Sequence, residues 1–288
     1  MVEYRTSLRG TSNAEVTVDH ADVRARANLP LALGELATRT LNKVAWVDLA
    51  AKDAAAARDF YGKVLGWTTE VNPDPQYGGY GRSRVDGKDV AGIGPAQSPD
   101  QPSAWSVYIG TDDLDGLSKR ITDAGGTVTA PAFDVGDQGR MAVFRDPTGA
   151  FISSWEAHQM GGFQTDGRSA FGWADLNARN VEAAIPFYAT VFGWTPKTTG
   201  TPDRPYTEFQ VDGTSIAGAT EMDPMVPAAV PSYWMVYFNV DNVDATHRTA
   251  VESGARALVP PMDFPGGRMS IVSDPEGAAF GLMTLSGG

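Results

Sequence analysis

The chain has 288 residues, 42% of them hydrophobic, which suits two domains of ordinary size better than one small core. A net charge of −12, from 35 acidic and 23 basic side chains with no run of Lys and Arg, repels a phosphate backbone and argues against nucleic acid as a partner. With no cysteine there are no disulfides, thiolate nucleophiles or cysteine-held metal centres, no apolar stretch is long enough for a bilayer, and Met1 to Arg9 leads into no signal-peptide core. A cytoplasmic protein without a membrane partner is expected.

In chain order, residues 1–41 read as an extension, in which Leu31 to Leu41 suits a latch or helix without a catalytic part. Residues 43–49 alternate and are rich in Val and Trp, as a strand should be. A helix follows, its residues Phe60, Val64 and Leu65 on one side, and Gly66 stops it. Short strands are expected at Tyr80–Val85 and Val90–Ile93, with Asp86-Gly87 as their hairpin turn. Trp105–Gly110 is a further strand, and Asp113 stands where a helix N-cap belongs. Leu114, Leu117, Ile121 and Ala124 form that helix's apolar stripe, which ends at Gly125-Gly126. Strands near Thr127–Ala130, Arg140–Arg145 and Ala150–Trp155 complete the unit, with Asp146-Pro147-Thr148-Gly149 as a turn.

The whole series then recurs. Phe60, Tyr61, Val64, Gly66 and Trp67 return as Phe187, Tyr188, Val191, Gly193 and Trp194 at a constant offset of 127. Trp46, Asp48 and Leu49 return as Trp173, Asp175 and Leu176. Val85-Asp86-Gly87 with Ala91-Gly92, Val107-Tyr108, Gly139-Arg140-Met141 and Asp146-Pro147 with Gly149 all have counterparts in the same order. An ordered series of this kind means two copies of one domain, 42–158 and 170–288, joined by a polar, glycine-bearing linker over 159–169.

Four βαβββ units, with FYxxVxGW after the first helix of each copy and DPxG before its last strand, resemble the vicinal-oxygen-chelate superfamily of glyoxalases, bleomycin resistance proteins and dioxygenases. The resemblance covers about residues 42–285 and looks closest to tandem, glyoxalase-like actinobacterial proteins, several of which sit near antibiotic pathways. It implies an α+β fold in which paired units curl mixed sheets into two cups. It also implies that the duplication is a covalent pseudo-dimer, expected to be monomeric.

Metal-using members place a His on the first strand, fourteen residues before the Phe of the FY pair, where this chain has Trp46 and Trp173. A Glu is expected seven residues after the Asp of DPxG, where Ser153 and Gly281 stand. The remaining ligand position falls near Ser106 and Met235. None of these suits a first-row metal, so neither a metal nor another cofactor is expected. His20 and His247 lie outside any ligand register, and only Glu156 with His158 leaves a metal alternative open.

Side chains two apart on a strand share a face, so Asp48 is expected beside Trp46 in one cup and Asp175 beside Trp173 in the other. An aromatic wall beside a carboxylate suits a flat aromatic or cationic ligand, and a partly desolvated carboxylate suits a general base. The competing reading is that the tryptophans fill the core and the aspartates anchor loops. Tyr108 and Tyr237 either offer a hydroxyl to the ligand or pack, with Ser106, Ser153 and Met235 completing the walls. Arg140 and Arg268 either cap a pocket or pair with a turn aspartate, with a structural salt bridge the preferred reading, and Trp67 and Trp194 read as helix packing. Met222, Met225, Met235, Met262, Met269 and Met283 mark the second cup as the adaptable one, or only a loosely specified core.

Three functions follow from these readings. The first is a metal-free protein that binds a small aromatic natural product or drug, for resistance, sequestration or an accessory role in biosynthesis. The second is a metal-independent isomerase, cyclase, lyase or hydroxylase with Asp48 or Asp175 as base. A metal-dependent glyoxalase or extradiol dioxygenase ranks last.

Overall fold

The computed structural model describes residues 40–285 except 161 and 203; His20 and most of the 1–41 extension lie outside them. The first unit is β1 (Val44–Ala51), α1 (Ala54–Leu65), β2 (Thr68–Val71), β3 (Gly81–Val85) and β4 (Lys88–Pro95). The second is β5 (Ala104–Thr111), α2 (Leu114–Asp123), β6 (Thr127–Val135), β7 (Gly139–Arg145) and β8 (Phe151–Ala157). The third is β9 (Phe171–Ala178), α3 (Val181–Phe192), β10 (Thr195–Thr201), β11 (Arg204–Val211) and β12 (Thr214–Glu221). The fourth is β13 (Tyr233–Asn239), α4 (Val243–Glu252), β14 (Arg256–Phe264), β15 (Gly267–Ser273) and β16 (Ala279–Leu285).

The strands form two eight-stranded sheets, ordered β2-β3-β4-β1-β5-β8-β7-β6 and β10-β11-β12-β9-β13-β16-β15-β14. Each sheet is mixed: β1 and β5 pair antiparallel at its centre, while β4 lies parallel to β1 and β8 parallel to β5. The second sheet repeats this with β9, β13, β12 and β16. This is the expected α+β fold of two glyoxalase-like domains.

Local chemistry sets the element ends. The Asp53 carboxylate accepts from Ala55 N and Ala56 N to start α1, and Asp113 accepts from Gly116 N to start α2. Asn180 and Asn242 cap α3 and α4 in the same way. Gly66 and Gly193 end the first helix of each copy with φ of 72° and 69°, where a side chain would be strained. The edge strands β2 and β10, which the βαβββ pattern requires, could not be located in the sequence, because their residues are mostly exposed and show no apolar alternation.

Along β1, Val47, Leu49 and Ala51 point to the helices while Trp46 and Asp48 point to the opposite face. The helix-side residues of both domains merge into one core that includes Phe60, Tyr61, Trp105, Phe187, Tyr188, Trp234 and Phe280. Helix α1 packs on α4 and α2 on α3, so helices of one domain lie against those of the other.

The repeated motifs hold this shared layer together. The Tyr61 hydroxyl donates to Asp274 Oδ2 at 3.1 Å, and Tyr188 donates to Asp146 Oδ2 at 2.9 Å. Trp67 Nε1 donates to the Ser169 carbonyl at 2.8 Å and Trp194 Nε1 to the Asn42 carbonyl at 2.6 Å. Trp67 and Trp194 therefore do more than seat a helix on its own sheet, because each also ties its copy to the start of the other. Asp146 and Asp274 shape their turns, accepting from Ala150 N and Ala278 N, and also receive the tyrosine of the opposite copy.

Candidate functional site

Each cup is the sheet face opposite the helices. In the first, strand pairing sets Asp48 between Gly92 and Ser106, Trp46 opposite Tyr108, and Tyr108 beside Ser153. Tyr80, just before β3, lies across the glycines of β4, and a Cβ on Gly92 would overlap its hydroxyl. The Tyr80 hydroxyl donates to Asp48 Oδ2 at 3.2 Å and accepts from Trp46 Nε1 at 2.7 Å. Tyr108 donates to the same oxygen at 3.0 Å. Burial pushes the Asp48 carboxyl up to about 6, against the opposing pull of the Tyr108 and Tyr80 donors.

The second cup repeats this arrangement. Asp175 sits between Gly218 and Met235, Trp173 opposite Tyr237, and Tyr237 beside Gly281. Tyr206 donates to Asp175 Oδ1 at 2.5 Å. Trp173 Nε1 is shared between that oxygen at 2.9 Å and the Tyr206 hydroxyl at 2.7 Å. Tyr237 is a further donor to Asp175, whose carboxyl is held above the usual range by burial despite the three hydrogen bonds.

Tyr80 and Tyr206 were missed by the sequence reading. Their spacing of 126 is that of Val85 and Val211, so the repeat contained the signal. The glycines they cross, Gly92 and Gly218, were recognised only as repeat markers. The other expected residues converge in two groups, Trp46, Asp48, Ser106, Tyr108 and Ser153 on one sheet, and Trp173, Asp175, Met235 and Tyr237 on the other.

The family's metal does not fit these residues. Its ligand positions carry Trp46, Ser106 and Ser153 in one cup and Trp173, Met235 and Gly281 in the other, and the Tyr237 ring occupies the space where a side chain at 281 would begin. Among the described residues, no group of three or more His, Cys, Asp or Glu side chains is placed to hold a metal. Glu156 accepts from Leu114 N at 2.9 Å and lies 3.6 Å from Arg140 and 3.9 Å from His158, so it serves the start of α2. Arg140 pairs with Asp115 and Arg268 with Asp244 and Asp263, tying the starts of α2 and α4 to their sheets.

The cups differ in how they are closed. In the first, Trp46 is 2% exposed and clusters with Tyr108 and Trp155 beneath Met160 and Phe163. In the second, Met283 replaces Trp155, and Met235, Met269, Phe264 and Tyr233 line the space around a half-buried Trp173. Of the six methionines noted in the second copy, Met225 and Met262 are exposed and Met222 lies outside this cluster.

A sheet pair of this topology with these cups defines the class. The chain belongs to the Glyoxalase/Bleomycin resistance protein/Dioxygenase superfamily, whose family model matches residues 43–153 and 170–282. Among curated relatives it is 39% identical to the anthracycline biosynthesis protein DnrV of Streptomyces peucetius, over 85% of this chain and 94% of that protein. It is 36% identical to the putative glyoxylase CFP32 of Mycobacterium tuberculosis, over 83% of this chain and 93% of that protein. Among solved structures, the Mn(II)-bound glyoxalase from Novosphingobium aromaticivorans aligns with a TM-score of 0.61 at 17% identity, covering 85% of this chain and 82% of that one. A catechol 2,3-dioxygenase aligns with a TM-score of 0.56 at 14% identity, covering 86% and 89%. These two likenesses concern the fold alone.

Proposed function

We propose that the protein binds a small, planar aromatic natural product in its second cup without a metal, as an accessory, sequestering or resistance protein of secondary metabolism. One observation carries the reading. Six of the seven tryptophans are buried, and the exception, Trp173, stands half-buried beside Asp175 and Tyr206 in a methionine-lined cup. Aromatic faces, polarizable sulfur and one hydrogen-bonding cluster are the ingredients of a site for a flat ligand with a polar edge. The similarity to anthracycline biosynthesis proteins supports a polycyclic ligand from such a pathway. No helix among the described residues is long and apolar enough to cross a membrane, and a cytoplasmic monomer is part of the same proposal.

Titrating a panel of polycyclic aromatic polyketides, an anthracycline among them, while following tryptophan fluorescence tests the reading. Saturable quenching that is largely lost in Trp173→Phe supports it. Absence of quenching across the panel at millimolar ligand refutes it.

A second reading rests on Asp48. A carboxyl held at about 6 by burial, with two tyrosine hydroxyls on the same oxygen, suits a general base that acts near neutral pH. On this reading the protein is a metal-independent isomerase, cyclase, lyase or hydroxylase, and its turnover rises with pH through about 6. Asp175 offers the same chemistry in the second cup. Unchanged turnover in the Asp48→Asn, Asp175→Asn double variant would exclude both as bases.

A further inference from the structure

We infer that Phe163 is a built-in aromatic occupant of the first cup, filling with its own ring a binding place that the second cup leaves free. The inference deepens the proposed function, since it assigns a ligand-sized aromatic subsite to each copy of the repeat and says why only one is open.

The segment after β8 runs back over the first cup. Its Phe163 ring lies 5.4 Å from the ring of Trp46, tilted by 59°, and 5.7 Å from Phe171. Both separations are within the range of favourable aromatic pairs. Trp46 is the counterpart of Trp173, so Phe163 covers the indole that in the second cup is half-buried.

The cover is anchored on both sides. Met160 N donates to the Gln138 carbonyl at 3.1 Å, and the Met160 carbonyl accepts from Trp155 Nε1 at 2.9 Å. Beyond Phe163, Gln164 N donates to the Asp89 carbonyl at 2.8 Å. Trp155 is itself specific to the first copy, because its counterpart is Met283. The anchoring and the covered indole therefore occur together in one copy. The cover is a fixed plug, since backbone hydrogen bonds tie it on one side to Gln138 in the turn between β6 and β7 and on the other to Asp89 in β4.

The occupant that replaces it is a single aromatic ring without charge. Phe163→Ala removes the ring from between Trp46 and Phe171 and leaves a place matched to toluene. The experiment compares thermal unfolding of the wild type and Phe163→Ala with and without saturating toluene, and follows acrylamide quenching in a Trp173→Phe background. The expected result is a lower Tm for Phe163→Ala, a toluene-dependent recovery of about 2 °C that exceeds any shift in the wild type, and a newly quenchable tryptophan that toluene protects. Phe163→Leu, which refills the space, should show none of the three. Phe163→Val gives the same comparison if the alanine variant does not fold.

Equal toluene shifts in wild type and variant, or a tryptophan that stays unquenched, would overturn the inference. The wild-type toluene control isolates the first cup, so this outcome does not depend on whether the second cup binds polyketides. Failure of the polyketide titration would in turn leave this comparison intact.

Discussion

The Tyr61 hydroxyl meets the Asp274 carboxylate across the domain boundary at 3.1 Å, and the reciprocal pair, Tyr188 with Asp146, closes at 2.9 Å. Each tyrosine also accepts from a tryptophan of its own copy, Trp105 or Trp234, at 3.0 Å. The FY and DPxG signatures thus belong to one interface repeated about a pseudo-two-fold axis.

Removing a single hydroxyl should therefore weaken the whole protein. Tyr61→Phe leaves a buried Trp105 N–H and one side of Asp274 without that partner, at a cost of about 1–3 kcal/mol. Tyr188→Phe should cost a similar amount, with Asp146 losing its cross-domain donor. Urea unfolding followed by circular dichroism measures both, and each variant should still unfold in one transition. A separate transition for one domain would show that the shared core does not couple them.

Gly218→Ala should abolish ligand binding while sparing the fold. The added methyl would collide with the Tyr206 hydroxyl and Asp175 Oδ1, and the Tyr206 side chain would have to leave the cup floor. We expect at least a tenfold loss of affinity with native circular dichroism, about 1.4 kcal/mol of binding free energy. Gly92→Ala, the same change under Tyr80 in the plugged cup, should leave affinity unchanged.

The pH dependence of stability should carry the mark of Asp48. Its carboxyl is raised from 3.8 to about 6 on folding, so the folded state binds the proton more tightly than the unfolded chain. Stability from this group is then complete below about pH 4 and lost as pH rises through about 6, on the order of 2–3 kcal/mol before allowance for its partial exposure. Asp175 and Asp274 are raised as well and act in the same direction. Asp48→Asn should flatten the decline between pH 4 and 6.5. An unchanged slope would show that Asp48 titrates as an ordinary surface carboxylate.

Purified protein incubated with zinc, iron, manganese and nickel, then washed free of excess, should retain less than about a tenth of an equivalent of each. A stoichiometric metal that survives the wash would identify a ligand set outside the two cups' Trp, Ser, Met and Gly positions.

Much of this architecture was legible in the sequence because the repeat and the alternation of β1 and β9 are local patterns. Trp46 with Asp48 and Trp173 with Asp175 could be placed on one face from strand period alone. Tyr80 and Tyr206 could not be placed so simply. They stand before β3 and within β11, and reach the carboxylates two strands away only because Gly92 and Gly218 on the intervening strand leave room for their rings. Phe163 was hidden for a different reason. It lies in a polar, glycine-bearing stretch whose composition reads as linker, and its contacts depend on how the chain returns over a finished sheet. The buried role of Asp146 and Asp274 was masked in the same way, since DPxG explains itself as a turn before any tertiary partner is considered.

A symmetric dimer of single domains would carry every substitution twice, once in each cup. Covalent duplication lifts that constraint unevenly. The Tyr61–Asp274 and Tyr188–Asp146 pairs still need partners from opposite copies, so the interface is held to its original design. The cups have no such obligation to each other, and the same repeat position holds Trp155 in one and Met283 in the other. On the proposed reading, one copy serves as scaffold while the other stays open to ligands, a division of labour within a single chain that two identical cups could not make.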